Sequence, residues 1–111
     1  MDIQDKLERS IVRALIWELE QSGFSPVAVW DGEDYVSTLA ADAAIASIFS
    51  VDTSTLHFAP KDDINKWGNL GVMLVCGNGK DIISDYHCGN EYFTKAVERV
   101  SDRIERLTVT V

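Results

Sequence analysis

Basic residues are missing from a long part of this 111-residue chain, since no Lys or Arg occurs between Arg13 and Lys61. The same interval holds seven carboxylates: Glu18, Glu20, Asp31, Glu33, Asp34, Asp42 and Asp52. The formal net charge of the whole chain is −8. Proteins that bind nucleic-acid backbones need clustered Lys and Arg to neutralise the phosphates. The charge distribution therefore argues against direct nucleic-acid binding.

Long apolar runs are absent as well, because no stretch approaches the roughly 18 residues that a membrane-spanning helix requires. Residues 1–6 are acidic and amphipathic, which is not the pattern of a signal peptide. No internal repeat, linker or low-complexity segment interrupts the chain. We therefore expect a single cytoplasmic domain over residues 1–111, with no membrane association and no cofactor.

Cysteine and histidine are scarce, with two of each and no Cys-x-x-Cys or His-x-x-x-His spacing. We expect Cys76 and Cys88 to be reduced thiols, since the hairpin pairing proposed below points them to opposite faces. Asp85 and His87 share a face of the same predicted strand, next to Cys88. These three residues define an alternative function, a small metal-dependent or cysteine-based hydrolase, in which His57 or His87 would serve a cysteine nucleophile. The ligand spacing matches known metal sites poorly, so the sequence predicts neither a metal site nor catalytic residues.

Residues 70–88 carry the strongest local structural signal. Asn78-Gly79 lies between two runs rich in Val, Ile and Leu, which predicts a β-hairpin with a two-residue turn because both turn positions favour positive φ. The facing pairs in this register are Gly77 with Lys80, Val75 with Ile82, and Met73 with Ser84. Both faces of such a hairpin are apolar, so we expect it near the middle of a sheet. A phosphate-binding loop at residues 77–80 is disfavoured, because a strand rather than a helix follows.

Hydrophobic periodicity predicts three helices, over residues 2 to about 22, 39 to about 50, and 91 to about 107. The predicted buried stripe of the first helix is Ile3, Leu7, Ile11, Ala14, Leu15 and Leu19. That of the second is Ala41, Ala44, Ile45, Ile48 and Phe49, and that of the third is Phe93, Ala96, Val97, Val100, Ile104 and Leu107. Ser37 or Thr38 is the expected N-cap of the second helix, and Asn90 that of the third.

Alternating and β-branched segments predict the remaining strands. Pro26 to Asp31 and Asp34 to Thr38 form a first hairpin that turns at Asp31-Gly32 or one residue later, and Thr55 to Ala59 form a third strand. The order α-β-β-α-β-β-β-α predicts an α+β fold, an antiparallel sheet of four to five strands with helices packed on it. The alternating tail Leu107 to Val111 predicts a last strand, paired within the domain or with a second copy in a homodimer.

Aromatic side chains accompany the carboxylates of the first hairpin. Trp30 and Tyr35 are predicted to share one face, beside Asp31, Glu33 and Asp34. Exposed aromatics ringed by carboxylates are typical of a protein interface, and Trp67 would extend such a patch. The predicted partner-binding residues are therefore Trp30, Asp31, Glu33, Asp34, Tyr35 and Trp67. The alternative is that the acidic interval is a solvated surface that keeps the protein soluble.

The run 77–88, with residues 27–36 upstream, resembles small hypothetical proteins encoded in bacteriophages and prophages. The likeness spans most of the chain and implies no known activity and no functional residues. It does imply an accessory role, since small acidic phage proteins often bind and modify host proteins. The sequence as a whole thus predicts a non-enzymatic protein-binding module whose acidic face docks a basic protein partner.

Overall fold

The computed structural model describes residues 3–37, 40–66, 70–87 and 90–109, without the side chains at positions 3, 4, 87 and 106–109. The described residues form three α-helices, five strands and one 3₁₀ turn. These elements are α1 (Ile3–Gln21), β1 (Phe24–Trp30), β2 (Tyr35–Ser37), α2 (Ala41–Ile48), β3 (Thr53–Pro60), β4 (Gly71–Val75), the 3₁₀ turn (Gly79–Asp81), β5 (Ile83–His87) and α3 (Glu91–Val109). None of the described helices is both long and apolar enough to span a membrane.

The strands make one sheet in the order β2-β1-β3-β4-β5, and every neighbouring pair is antiparallel. The predicted α+β class and the predicted element order are therefore confirmed. All three helices contribute to one main core with the inner face of the sheet. At its centre the Phe93 ring meets Phe24 and Phe58 edge-on, at centroid distances of 5.4 and 5.7 Å.

A β-bulge in β1 decides which of its side chains reach this core. Pro26 lies opposite Phe58 and Ala28 opposite His57, which leaves Val27 as the extra residue. The bulge changes the alternation, so that Phe24 and Val29 both pack in the core. Val27 joins Ala28 and Ala59 in a separate small cluster. The regular alternation expected of the strand Pro26 to Asp31 is therefore interrupted at Val27.

Helix α1 matches its predicted bounds but is rotated relative to the predicted stripe. Val12 and Ile16 are buried with Ile11, Leu15 and Leu19, whereas Leu7 is exposed. The physical reason is Glu8, which is 3% exposed and turns inward to bind the β4–β5 connection. For α3 the buried stripe Phe93, Ala96, Val97, Val100 and Ile104 is as predicted. The Asn90 side chain accepts hydrogen bonds from the N–H groups of Tyr92 and Phe93, which confirms the predicted N-cap.

Two predictions about helix ends are wrong. Helix α2 begins after Ala40, which makes no side-chain cap hydrogen bond, so neither Ser37 nor Thr38 is its N-cap. Helix α3 continues to Val109, so the predicted strand does not form at residues 107–109. Thr110 and Val111, the end of that predicted strand, lie outside the described residues.

The second hairpin forms, but its turn, register and place in the sheet differ from the prediction. Val75 donates to the Ile82 carbonyl as predicted, whereas Met73 lies opposite Asp85 because Ser84 is an extra residue in β5. Strand β5 is an edge strand, so the hairpin is not the inner pair of the sheet. The inner position belongs to β3, which pairs with both β1 and β4.

The turn of this hairpin is a longer loop folded around a carboxylate. Asn78 has a φ of −89°, which rules out the predicted two-residue turn with positive φ at both positions. The Glu8 carboxylate instead accepts the N–H groups of Gly77 and Gly79 at 2.8 and 2.6 Å. Gly77 adopts a φ of 102°, a conformation that other residues rarely take. A glutamate from α1, distant in sequence, thus sets the conformation of this loop.

Candidate protein-binding face

The helices pack on one face of the sheet, and we call the other face, on which Tyr35 and Met73 are exposed, the open face. One row of paired residues crosses all five strands on it: Tyr35, Trp30, Thr55, Met73 and Asp85. Adjacent strands lie about 4.8 Å apart, so the row is about 19 Å long. A second row of paired residues runs parallel to the first and consists of Ser37, Ala28, His57, Gly71 and His87. Ala28, His57 and Gly71 in this row are buried. The residues between the two rows, such as Val29, Leu56 and Val72, point into the core.

Three rings meet at one end of the open face. Tyr35 lies against Trp30 with ring centroids 4.7 Å apart, and against His57 at 5.5 Å. The Tyr35 ring on β2 thus reaches His57 on β3 across β1, the strand between them. His57 is buried at 6% exposure, whereas Tyr35 remains 55% exposed. This end of the face therefore presents the Tyr35 ring, which contacts two other rings and is more than half exposed to solvent.

The β1–β2 turn places carboxylates next to these rings. The Asp31 carboxylate accepts the N–H groups of Asp34 and Glu33 at 2.8 and 2.9 Å, and the Asp31 N–H donates to the Asp34 carbonyl. Gly32 occupies the turn with a φ of 103°, where a glycine is favoured. The hydrogen bonds from the Asp34 and Glu33 backbones lower the pKa of the Asp31 carboxyl below its ordinary value. The turn is thus held together by a charged side chain, with Glu33 and Asp34 exposed beside it.

The structure brings together five of the six predicted partner-binding residues: Trp30, Asp31, Glu33, Asp34 and Tyr35. Trp67, the sixth, lies outside the described residues. Sequence reasoning missed His57, Thr55 and Met73 as members of the same face. Along β3, polar or small residues alternate with apolar ones, and this was the available signal for one face of the strand. Which other residues share that face depends on which strands pair with β3. Met73, 40% exposed, was misassigned because the hairpin was expected to be covered on both sides.

A separate cleft of about 410 Å³ lies between α1, the α2–β3 connection and the β4–β5 loop. Its lining residues are Asp5, Glu8, Phe49, Ser50, Val51, Asp52, Cys76 and Gly77. Burial raises the pKa of the Cys76 thiol above its ordinary value, and the negative charges of Glu8, Asp52 and Asp5 raise it further. The thiol is therefore protonated at neutral pH, the opposite of what an activated nucleophile requires.

The residues of the alternative hydrolase are only partly described. Asp85 and His87 both lie on β5, whose edge position exposes Asp85. The His87 side chain and Cys88 lie outside the description. Within the described part of the chain, no group of three or more His, Cys, Asp or Glu side chains is arranged to hold a metal ion. The hydrolase centred on Asp85, His87 and Cys88 stays a prediction.

Comparison of this chain with protein-family models, with curated proteins and with solved structures finds no match.

Proposed function

We propose that this protein is a non-enzymatic protein-binding module that docks a basic protein partner on the open face of its sheet. The observation that carries the proposal is the row of residues across that face, which begins with the exposed Tyr35 and ends with Asp85. Interface hot spots are enriched in Tyr and Trp and are surrounded by a polar rim. The Trp30–Tyr35 pair with its neighbouring carboxylates has this composition.

Charge supports the choice of a basic partner. The strands that form the open face contain no Lys or Arg among their described residues. The exposed carboxylates of Glu33 and Asp34 flank one end of the row, and Asp85 lies at the other. Complementary charge of this kind guides association and rejects partners of the same sign, including nucleic-acid backbones.

The remaining sequence predictions belong to the same proposal. A cytoplasmic accessory protein of phage or prophage type would meet basic host proteins in that compartment. The sequence predicts a homodimer through its tail, Leu107 to Val111, of which residues 107–109 belong to α3. A homodimer through the open face would instead bring two acidic rims together, and these would repel each other.

A site-specific photocrosslinking experiment tests the proposal. A benzophenone amino acid is placed at Tyr35 in one variant and at Tyr92 in the control, because Tyr92 is also exposed, at 65%, but lies on α3 in the helical layer. We expect the Tyr35 position alone to capture a basic protein in the native cells. The captured protein is then purified and titrated against the wild type and against the double variant Glu33→Gln, Asp34→Asn.

Binding to the wild type should weaken as the salt concentration rises from about 0.01 M to about 0.15 M, since the Debye length falls from about 30 Å to about 8 Å. The double variant should bind more weakly and with less salt dependence. Capture at Tyr92 rather than Tyr35, or capture of an acidic protein with no salt dependence, would contradict the proposed function.

A further inference from the structure

The Tyr35 ring and the β1–β2 turn together indicate which side chain the partner presents. The Tyr35 ring contacts the rings of both Trp30 and His57, and these contacts orient it before any partner arrives. More than half of its surface stays accessible, at 55%. A preorganised aromatic ring loses little conformational entropy on binding, which favours its use as a contact.

The turn next to this ring supplies negative charge at a fixed position. Hydrogen bonds from the N–H groups of Glu33 and Asp34 to the Asp31 carboxylate hold the turn in one conformation. Among the residues that the structure describes, no cation forms an ion pair with Glu33 or Asp34. Other carboxylates in the described chain do have such partners, as Asp42 has Arg13 and Glu18 has Arg99. The turn therefore offers carboxylates that an external cation can pair with.

We infer that the basic partner presents an arginine side chain, whose guanidinium stacks on the Tyr35 ring and pairs with the carboxylates of Glu33 and Asp34. This inference rests on the proposed function, since it names the chemistry that the open face recognises. An arginine satisfies both features at once: its planar guanidinium stacks on aromatic rings, and it forms bidentate hydrogen bonds with carboxylates. A lysine ammonium is a strongly hydrated point charge that matches the carboxylates but stacks poorly.

The competing occupants fit the same features less well. A second copy of this chain would place its own acidic turn or Asp85 near the first, which brings like charges together. A phosphate-bearing ligand would meet the same repulsion. An uncharged apolar segment would cover Tyr35 and Met73 but would desolvate the nearby carboxylates without pairing them.

Short peptides provide the test, because they separate the role of the guanidinium from that of charge alone. A glycine–arginine peptide, its lysine counterpart and its neutral citrulline counterpart are titrated into the ¹⁵N-labelled protein, and the amide shifts locate the site. We expect the arginine peptide to shift the amides of residues 32–36 and to bind about two- to fivefold more tightly than the lysine peptide. The citrulline peptide should not bind measurably.

Variants then assign the preference to named side chains. Tyr35→Leu should remove the preference for arginine while leaving weak binding of both cationic peptides. The double variant Glu33→Gln, Asp34→Asn should weaken the binding of both cationic peptides. The control Tyr92→Leu should change neither the affinity of the two peptides nor the preference for arginine.

Equal affinity for the arginine and lysine peptides would overturn the inference, and so would shifts confined to α1 or α3, or the absence of binding. These results would not by themselves contradict the proposed function, because the photocrosslinking experiment tests docking on the open face independently of which side chain the partner presents. A dimer in light scattering, with shifts in residues 32–36 on dilution, would assign the face to a second copy and overturn both proposals.

Discussion

Glu8 is a buried carboxylate whose hydrogen-bond partners are backbone N–H groups. Its carboxylate accepts two N–H groups, from Gly77 and Gly79, at 2.8 and 2.6 Å. Hydrogen bonds to an ionised acceptor are shorter and stronger than those between neutral groups. The glycine-rich loop is followed by a strand, so it does not match a phosphate-binding loop. Its N–H groups instead bind the carboxylate of Glu8 from the same chain.

Replacing Glu8 tests how much this contact stabilises the protein. We expect Glu8→Ala to lower the free energy of unfolding by about 2–4 kcal/mol, because two charge-assisted hydrogen bonds are lost and α1 no longer fixes the loop. Glu8→Gln retains one acceptor oxygen and should lose about 1–2 kcal/mol. Urea denaturation measures both.

Glu20→Ala is the matched control for these variants, since Glu20 is a glutamate on the same helix without the buried loop contact. It should change stability by about 0.5 kcal/mol or less. If Glu8→Ala and Glu20→Ala had equal effects, Glu8 would not determine the loop conformation.

At the scale of elements, α1 and α3 are joined by an ion pair as well as by apolar contacts. The Glu18 carboxylate is 9% exposed and accepts hydrogen bonds from Arg99 Nε at 2.5 Å and Arg103 Nη2 at 3.5 Å. Arg99 also donates to the Ser22 hydroxyl at 2.9 Å. A carboxylate this buried needs its partners, because removing them leaves a charge without compensation.

Arg99→Met should therefore destabilise the protein by about 1–3 kcal/mol, the range for losing a hydrogen bond to a charged group. Methionine keeps the apolar stem and removes the guanidinium. Arg13→Met is the control, because Arg13 pairs with Asp42 at 3.0 Å where both side chains are exposed. That pair should contribute about 1 kcal/mol or less. Equal losses in the two variants, compared by thermal unfolding, would show that burial of Glu18 does not matter.

The two edge strands are both poor templates for adding another strand. Strand β2 is three residues long, and β5 carries an extra residue at Ser84 and an exposed Asp85. Short edges, bulges and charges are common protections against edge-to-edge pairing. A partner is therefore expected to contact side chains on the open face rather than to extend the sheet.

At the scale of the whole molecule, the main apolar core and the proposed binding surface lie on the two faces of one sheet. The large buried side chains that meet the helices lie on the inner face, including Phe58, Leu56, Val72 and Leu74. Among the described residues of the open face, Val27, Ala28 and Ala59 form a separate small cluster. Substitutions on the open face are therefore expected to change binding without unfolding the protein.

Phe93→Ala and Tyr35→Ser make this separation measurable. We expect Phe93→Ala to lower the free energy of unfolding by about 3–5 kcal/mol, because it leaves a cavity between Phe24 and Phe58. Tyr35→Ser should lower it by about 0.5–1.5 kcal/mol, the contribution of an aromatic contact beyond burial. A loss as large for Tyr35→Ser as for Phe93→Ala, in the same urea titrations, would mean that Tyr35 belongs to the fold's core rather than to a binding surface.

The three helices were predictable because the spacing of apolar residues within each segment identifies a helix locally. The N-cap of α3, Asn90, was predictable for the same local reason. The aromatic and acidic residues of the first hairpin were also found, because a turn at Asp31-Gly32 or one residue later puts Trp30 and Tyr35 on the same face. The observed pairing of Trp30 with Tyr35 is that of the later turn. The edge position of β5 was not predictable, because the apolar residues Ile83 and Tyr86 are compatible with an inner strand as well as with an edge strand. Nor was the partnership of Glu8 with Gly77, which connects positions far apart in sequence.

The amino-acid sequence by itself determined the α+β class, the order of the elements, the buried stripe of α3 and the acidic, aromatic character of the first hairpin. These features depend on periodicity and turn chemistry within single segments, and so are encoded locally. Only the tertiary structure decided the order of the strands, the two bulges, the inward turn of Glu8 and the row that links Tyr35 to Asp85. These features depend on contacts between segments far apart in the chain, and one added residue in a strand moves every later side chain to the opposite face.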